Sequence, residues 1–347
     1  YFHQLDDPYS HLAVQTLSKL SLSYDIELII HLVDRPNAVD APEPKMLDDY
    51  ARVDAANIAP FYGLQFKDPG AQPHRELITL AQRVLRGAIS KGNFANLAVK
   101  VGDALWRGDG GALESMAVNC SPTKLEGELR KAEKRRDSLG HYLGGTFYYD
   151  GEWYWGVDRL NYLEQRLQLM GLASGPQIIK RPQIQGYKAK NRTDITLEYF
   201  PSLRSPYTYI SMAAVYQLAQ RTGVKLVMRP VLPMMMRGVP ASMNKGKYIF
   251  SDCKSEAEQV FDVPFGNICD PFGEPVKRGY SLFQWAQSKG RSQELFLSFT
   301  TAAFAKRIDT GTDKGMQYVV ENAGLNWQEA KADIDNKEWE SVLEQNR

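Results

Sequence analysis

The sequence predicts an α/β chain made of two tandem copies of one module, each carrying a helical insertion. Three observations carry this expectation: the length, a long internal repeat, and a strand–helix–strand pattern at the head of each copy. At 347 residues the chain is about twice the size of an ordinary domain, enough for two separate cores. Laid on itself, it pairs Tyr1-Phe2-His3-Gln4-Leu5-Asp6-Asp7-Pro8-Tyr9 with Tyr199-Phe200-Pro201-Ser202-Leu203-Arg204-Ser205-Pro206-Tyr207, an offset of 198 residues. The same offset joins Tyr50 to Tyr248 and Asp54 to Asp252. A period this long means domain duplication, since solenoid repeats run to about 20–50 residues.

Each copy opens on a strand-like run, Tyr1 to Leu5 and Thr193 to Phe200, followed by a proline suited to the first position of a helix. The spacing predicts helices over Pro8–Leu22, with Leu12, Val14, Leu17 and Leu20 inward, and over Pro206–Thr222, with Ile210, Ala213, Ala214 and Leu218 inward. A buried-strand pattern follows each, Ile26–Ile30 and Val224–Met228. In the first copy a helix-biased insertion runs from Met46 to Asp137, broken at Asp68-Pro69-Gly70 and Gly108-Asp109-Gly110-Gly111. Thr146 to Trp155 then reads as a hairpin around Asp150-Gly151, and Asp158 to Met170 as a closing helix. The second copy has a helical region from Val276 to Asn346 and no visible counterpart of that hairpin. The expected division is a first module over 1–172, a linker over 173–192 and a second module over 193–347.

Composition narrows the function classes. The 42 basic and 41 acidic residues balance, so no global field gathers nucleic acid or anionic lipid. No run approaches the roughly 20 apolar residues of a membrane span, and the opening residues have no signal-peptide pattern. Cys120, Cys253 and Cys269 are too few and too scattered for a disulfide framework or zinc site and fit a reducing cytosol, so a cytoplasmic protein is expected. The five histidines show no ligand spacing, and no phosphate-binding glycine motif occurs. With a non-Met first residue and a charged helical pattern at the last, the sequence reads as part of a longer chain.

Chemistry is expected at the strand-to-helix turns, where the first amides of a helix are unpaired and its dipole end is positive, so that anions and thiolates are stabilised. The second turn, Ser202-Leu203-Arg204-Ser205-Pro206, adds a hydroxyl and a guanidinium; the first, Asp6-Asp7-Pro8, adds two carboxylates. Ser205-Pro206-Tyr207-Thr208-Tyr209, with Arg229-Pro230-Val231-Leu232 and Lys245-Gly246-Lys247-Tyr248 downstream, resembles the kappa-class glutathione transferases and the 2-hydroxychromene-2-carboxylate isomerases. Both are DsbA-like families with a helical insertion in a thioredoxin fold. Leu143-Gly144-Gly145-Thr146-Phe147 and Trp155-Gly156-Val157-Asp158-Arg159-Leu160 resemble further segments of the same family.

The resemblance implies two thioredoxin-like modules and glutathione as the cofactor. It makes Ser205 the hydroxyl that holds and activates the glutathione sulfur, Lys245 the partner of the glycyl carboxylate and Asp158 the partner of the γ-glutamyl ammonium; Arg204 and Tyr207 join them as glutathione-binding residues. It implies a small electrophilic or aromatic substrate, and the paired modules of its members imply an intramolecular pseudo-dimer, with further homo-oligomerisation open. Two departures, Asp7 for the family's serine and Gly145 for its cis-proline, mark the first copy as degenerate. No Cys-x-x-Cys occurs and neither helix start has a cysteine, which argues against ordinary dithiol exchange. Plainer readings stand beside these: Ser205 and Asp7 as helix caps, Arg204 and Lys245 as solvated loop residues, Met234–Met236 as core rather than an acceptor pocket. A non-catalytic scaffold that kept the fold and lost the chemistry is the competing function, and a DsbA-family oxidoreductase without the dithiol motif is a third.

Overall fold

A computed structural model describes residues 1–117, 121–182 and 192–346. Cys120 and residues 183–191 of the expected linker 173–192 lie outside the described residues. The chain divides into two compact units: Tyr1–Gln185 with Ser242–Lys245, and Gly186–Ala241 with Gly246–Arg347.

Unit 1 opens on β1 (Phe2–His3), α1 (Pro8–Ser23) and β2 (His31–Leu32). Five helices follow: α2 (Pro44–Ile58), α3 (Arg75–Ser90), α4 (Phe94–Trp106), α5 (Gly110–Ser115) and α6 (Pro122–Ser138). They are the predicted insertion, with breaks between α2 and α3 and between α4 and α5 where Pro and Gly interrupt the pattern. The unit closes on β3 (Thr146–Tyr149), β4 (Glu152–Trp155) and α7 (Val157–Leu169). Its sheet runs β2-β1-β3-β4, with β1 parallel to β2 and antiparallel to β3. The hairpin turns at Asp150 (φ 43°) and Gly151 (φ 88°), the two left-handed residues that a tight two-residue hairpin loop requires.

Leu12, Val14, Leu17 and Leu20 of α1 are buried as their spacing predicts, and they join Leu85, Val101, Leu105 and Leu160 in one apolar core. The expected strand Ile26–Ile30 is not there. The ladder with β1 covers His31–Leu32, and before it only the Ile29 carbonyl takes part, accepting from the Tyr1 ammonium at 2.8 Å while its side chain is 55% exposed. Ile26, Leu28 and Ile30 rest half-buried on the core, so the period-2 pattern records one-sided packing, not a place in the ladder.

Unit 2 contains β5 (Thr196–Tyr199), α8 (Pro206–Thr222) and β6 (Lys225–Met228), with β5 and β6 parallel. Among the described residues seven α-helices follow: α9 (Met243–Glu256, whose first three residues group with unit 1), α10 (Glu274–Ser281), α11 (Phe283–Ser288), α12 (Ser292–Phe304), α13 (Asp313–Asn322), α14 (Trp327–Asp333) and α15 (Glu338–Gln345). Among the described residues no third strand joins this sheet. The inward face of α8 differs from the expected one: Ile210 is buried, but Ala214 and Leu218 are exposed, and Tyr209, Met212, Tyr216 and Ala219 turn inward instead. The two tyrosines bury more apolar area than alanine, and the Tyr209 hydroxyl keeps an acceptor, donating to the Pro264 carbonyl at 2.7 Å.

Candidate functional site

Both units place a proline-started helix directly after the first strand of their sheet, and the two turns are built differently. At the start of α8, Ser205 takes extended backbone angles (φ −88°, ψ 117°) and caps the helix, its Oγ accepting from Thr208 N–H at 3.2 Å. A hydroxyl that accepts still has its own proton to donate. Among the described residues the Tyr207 N–H meets no acceptor, as expected of a first-turn amide. The turn therefore offers an O–H and an N–H at the positive end of a 17-residue helix.

The neighbouring predicted residues are engaged within unit 2. Arg204 forms a two-pronged ion pair with Asp270, at 2.8 and 2.7 Å, and lies over the Phe272 ring with its guanidinium carbon 4.6 Å from the centroid. Tyr207 donates to Asp252 Oδ2 at 2.7 Å, and burial together with that carboxylate pushes its phenol well above the usual tyrosine range. Tyr207 is thus a fixed donor, not a proton acceptor.

Lys245 and Asp158 do not share this unit. Lys245 groups with unit 1, where its ammonium donates to the Asp40 carbonyl at 2.8 Å and burial lowers its pKa. Asp158 sits in the first turn of α7 and accepts from Arg159 at 2.6 Å. Of the five predicted residues, unit 2 brings together Arg204, Ser205 and Tyr207 only.

The turn at the start of α1 is a carboxylate cage. Asp7 caps the helix, accepting from Tyr9 N–H at 3.1 Å, Ser10 N–H at 2.9 Å and the Ser10 hydroxyl at 2.7 Å. Burial nevertheless holds its carboxyl up at about 6, against the pull of those donors. Asp6 is bound by Arg35, which also donates to Asp48 at 2.7 Å. Beside Asp7 lies a cavity of about 90 Å³, lined among others by Tyr9, Leu47, Leu143 and Trp155.

Asp7 and Gly145 are linked in space. Gly145 has φ +65°, and a Cβ there would stand 3.1 Å from both Asp7 Oδ2 and Ser10 N. Proline, fixed near φ −65°, cannot occupy this backbone. Each residue is visible alone in the sequence, whereas their contact, with the glycine making room for the acid, is not. Asp54 and Asp252, which align the two copies and of which Asp252 also belongs to the resemblance after Tyr248, each prove to be the acceptor for their unit's turn tyrosine, Tyr9 at 2.8 Å and Tyr207 at 2.7 Å.

Among the described residues no group of three His, Cys, Asp or Glu side chains could hold a metal ion, and no helix is long and apolar enough to cross a membrane. Cys253 is fully buried, and burial raises the pKa of Cys269.

No curated protein matches the chain. Among solved structures it is similar to a candidate protein disulfide isomerase from Nitrosomonas europaea, at 13% identity and a TM-score of 0.35, over 44% of this chain and 75% of that one. The family comparison is localised: residues 196–347, from the first residue of β5 onward, match the DSBA-like thioredoxin domain, and the second unit carries a domain of that kind.

Proposed function

We propose that the chain is a tandem pair of thioredoxin-like modules acting as a glutathione-dependent isomerase or transferase on small electrophilic or aromatic substrates, with its reactive site at the start of α8. The observation that carries this reading is Ser205: its hydroxyl caps the helix, keeps a proton to give, and stands beside the Tyr207 amide. A thiolate held there gains a hydrogen bond and the positive helix end. Stabilising it by 2 pKa units requires about 2.7 kcal/mol, within reach of these two effects. The bound sulfur would add to an electrophilic carbon; a transferase keeps that C–S bond, and an isomerase breaks it again after rotation about the weakened bond.

Unit 1 supports the tandem reading through its element order and through the Tyr9–Asp54 bond that repeats as Tyr207–Asp252. On this reading it is the degenerate partner of a pseudo-dimer in a cytoplasmic protein, its turn already holding an anion of its own in Asp7. Ser205 is the residue assigned to the sulfur. Lys245 and Asp158 receive no role in the α8 site, because they belong to unit 1, and Arg204 would have to leave Asp270 to reach a ligand.

A second reading, a binding or scaffold protein without catalysis, is favoured by the Arg204–Asp270 clamp and by Asp7. Dithiol exchange is not proposed, since neither helix start has a cysteine. Calorimetric titration with glutathione separates the first two readings. Saturable heat from the wild-type chain, lost or weakened at least tenfold in Ser205→Ala, is expected; no heat, or equal affinity in the variant, defeats the enzymatic reading.

A further inference from the structure

The parallel ladders of the two units have one register, displaced by the offset of the repeat. In unit 1 the Tyr1 carbonyl accepts from His31 N–H at 2.8 Å and the His3 carbonyl from Val33 N–H at 2.9 Å. In unit 2 the Tyr199 carbonyl accepts from Arg229 N–H at 2.8 Å and the Pro201 carbonyl from Val231 N–H at 3.0 Å. The unit 2 ladder then runs back from Tyr199–Met228 to Thr196–Lys225, and Lys225 N–H donates to the Ile195 carbonyl at 2.9 Å. The residues of unit 1 that answer to Lys225, Leu226 and Val227 are Glu27, Leu28 and Ile29, in the expected strand that the ladder does not reach.

The backbone of that segment is open. Among the described residues the N–H groups of Glu27, Leu28, Ile29 and Ile30 meet no acceptor, and of their carbonyls only that of Ile29 is used, by the Tyr1 nitrogen. Backbone groups in a row of this kind are a template for another strand. β1 lies between β2 and β3, and along its line, before Tyr1, a groove of about 410 Å³ is lined by residues 25–29 on one hand and 147–150 on the other. Leu163, Leu167 and Leu172 make part of its lining apolar. Three extended residues span about 10 Å. One more step of the ladder would use the Ile29 N–H and the Glu27 carbonyl, while Leu28 and Ile30 turn their amides to the outer edge of the sheet.

We propose that this groove is a strand-acceptor slot, completed by an extended segment joined to Tyr1 that runs parallel to residues 26–30 as Thr196–Glu198 runs parallel to β6. The occupant supplies main-chain hydrogen bonds to the open edge and an apolar side chain at the place that Leu197 holds in unit 2. No residue of the α8 turn takes part, so this proposal and the thiolate reading fail separately.

Two extended chains test it: one carries Ile-Thr-Leu-Glu before Tyr1, copied from Ile195–Glu198, and the other Ile-Thr-Pro-Glu. Proline there removes the N–H owed to the Glu27 carbonyl and is excluded from a central strand. Amide exchange followed by NMR in the whole chain should slow at least about tenfold at Glu27 and Ile29 in the first protein, with Leu28 and Ile30 unchanged. The proline version should exchange like the unextended chain, and so should the unextended chain mixed with free Ile-Thr-Leu-Glu. The Val227 amide of unit 2 is the internal reference and shows that each protein is folded. Unchanged exchange at Ile29, equal slowing in the proline version, slowing at all four amides alike, or protection by the free peptide would overturn the proposal.

Discussion

Tyr207 donates its phenolic proton to Asp252 across 45 residues of chain, and Tyr9 makes the same bond to Asp54 across the same interval. In each unit the bond ties the second residue of the long helix to the helix that follows the βαβ segment. It anchors the turn from behind and leaves the helix start to whatever the cap provides.

Removing either hydroxyl should therefore cost stability unequally. Asp252 is 8% exposed and Asp54 only half-buried, so losing one donor weighs more in unit 2, where the Tyr248 hydroxyl still faces the carboxylate at 3.4 Å. Tyr207→Phe should destabilise unit 2 by about 1–3 kcal/mol and Tyr9→Phe should destabilise unit 1 by less, as read from denaturant midpoints of the two transitions.

The raised Asp7 carboxyl makes unit 1 sensitive to pH in a defined direction. Its folded pKa of about 6 lies above the ordinary 3.8, so the stability it contributes is full below pH 4 and is lost as the pH rises through 6. Asp7→Asn keeps a good cap and removes the titration. The variant should melt higher than wild type above pH 6, and the gap should close towards pH 4.

Gly145→Ala should destabilise unit 1 by about 1–2 kcal/mol from the left-handed backbone alone, with more from crowding Asp7. In an Asp7→Ser background the cost should shrink by at least about 0.5 kcal/mol, the coupling expected of side chains in contact. Additive losses would break the proposed link between the two positions.

Burial holds the imidazoles of His3 and His141 down at about 3. Both lie below the usual 6.5, so the stability they contribute is present above that value and declines as the pH falls towards 3. Proton NMR should find both rings neutral between pH 8 and pH 5, with acid unfolding beginning before either titrates in the native state.

Much of this architecture was legible in the sequence. Prolines 8 and 206 mark both helix starts, Asp150-Gly151 marks the hairpin, and the broken helical run marks the insertion. What escaped was partnership at a distance. A propensity pattern cannot say that Ile26–Ile30 lacks a strand to pair with, nor that Tyr209 and Tyr216 outcompete Ala214 and Leu218 for the core. For the site, the Ser205 cap could be read locally, whereas the Arg204–Asp270 pair joins residues 66 positions apart and leaves no local signal.

The contact between Asp7 and Gly145 also constrains any redesign of the first turn. While the carboxylate stands, no side chain can enter at position 145 without pressing on it, and proline additionally demands a different backbone. A serine at position 7 still caps α1 and removes one of three close contacts, leaving the Ser10 amide at 3.1 Å and the Ser10 hydroxyl at 3.2 Å from an added Cβ. The acid, the serine and the glycine thus share one small space, and a change at any of the three is felt by the other two.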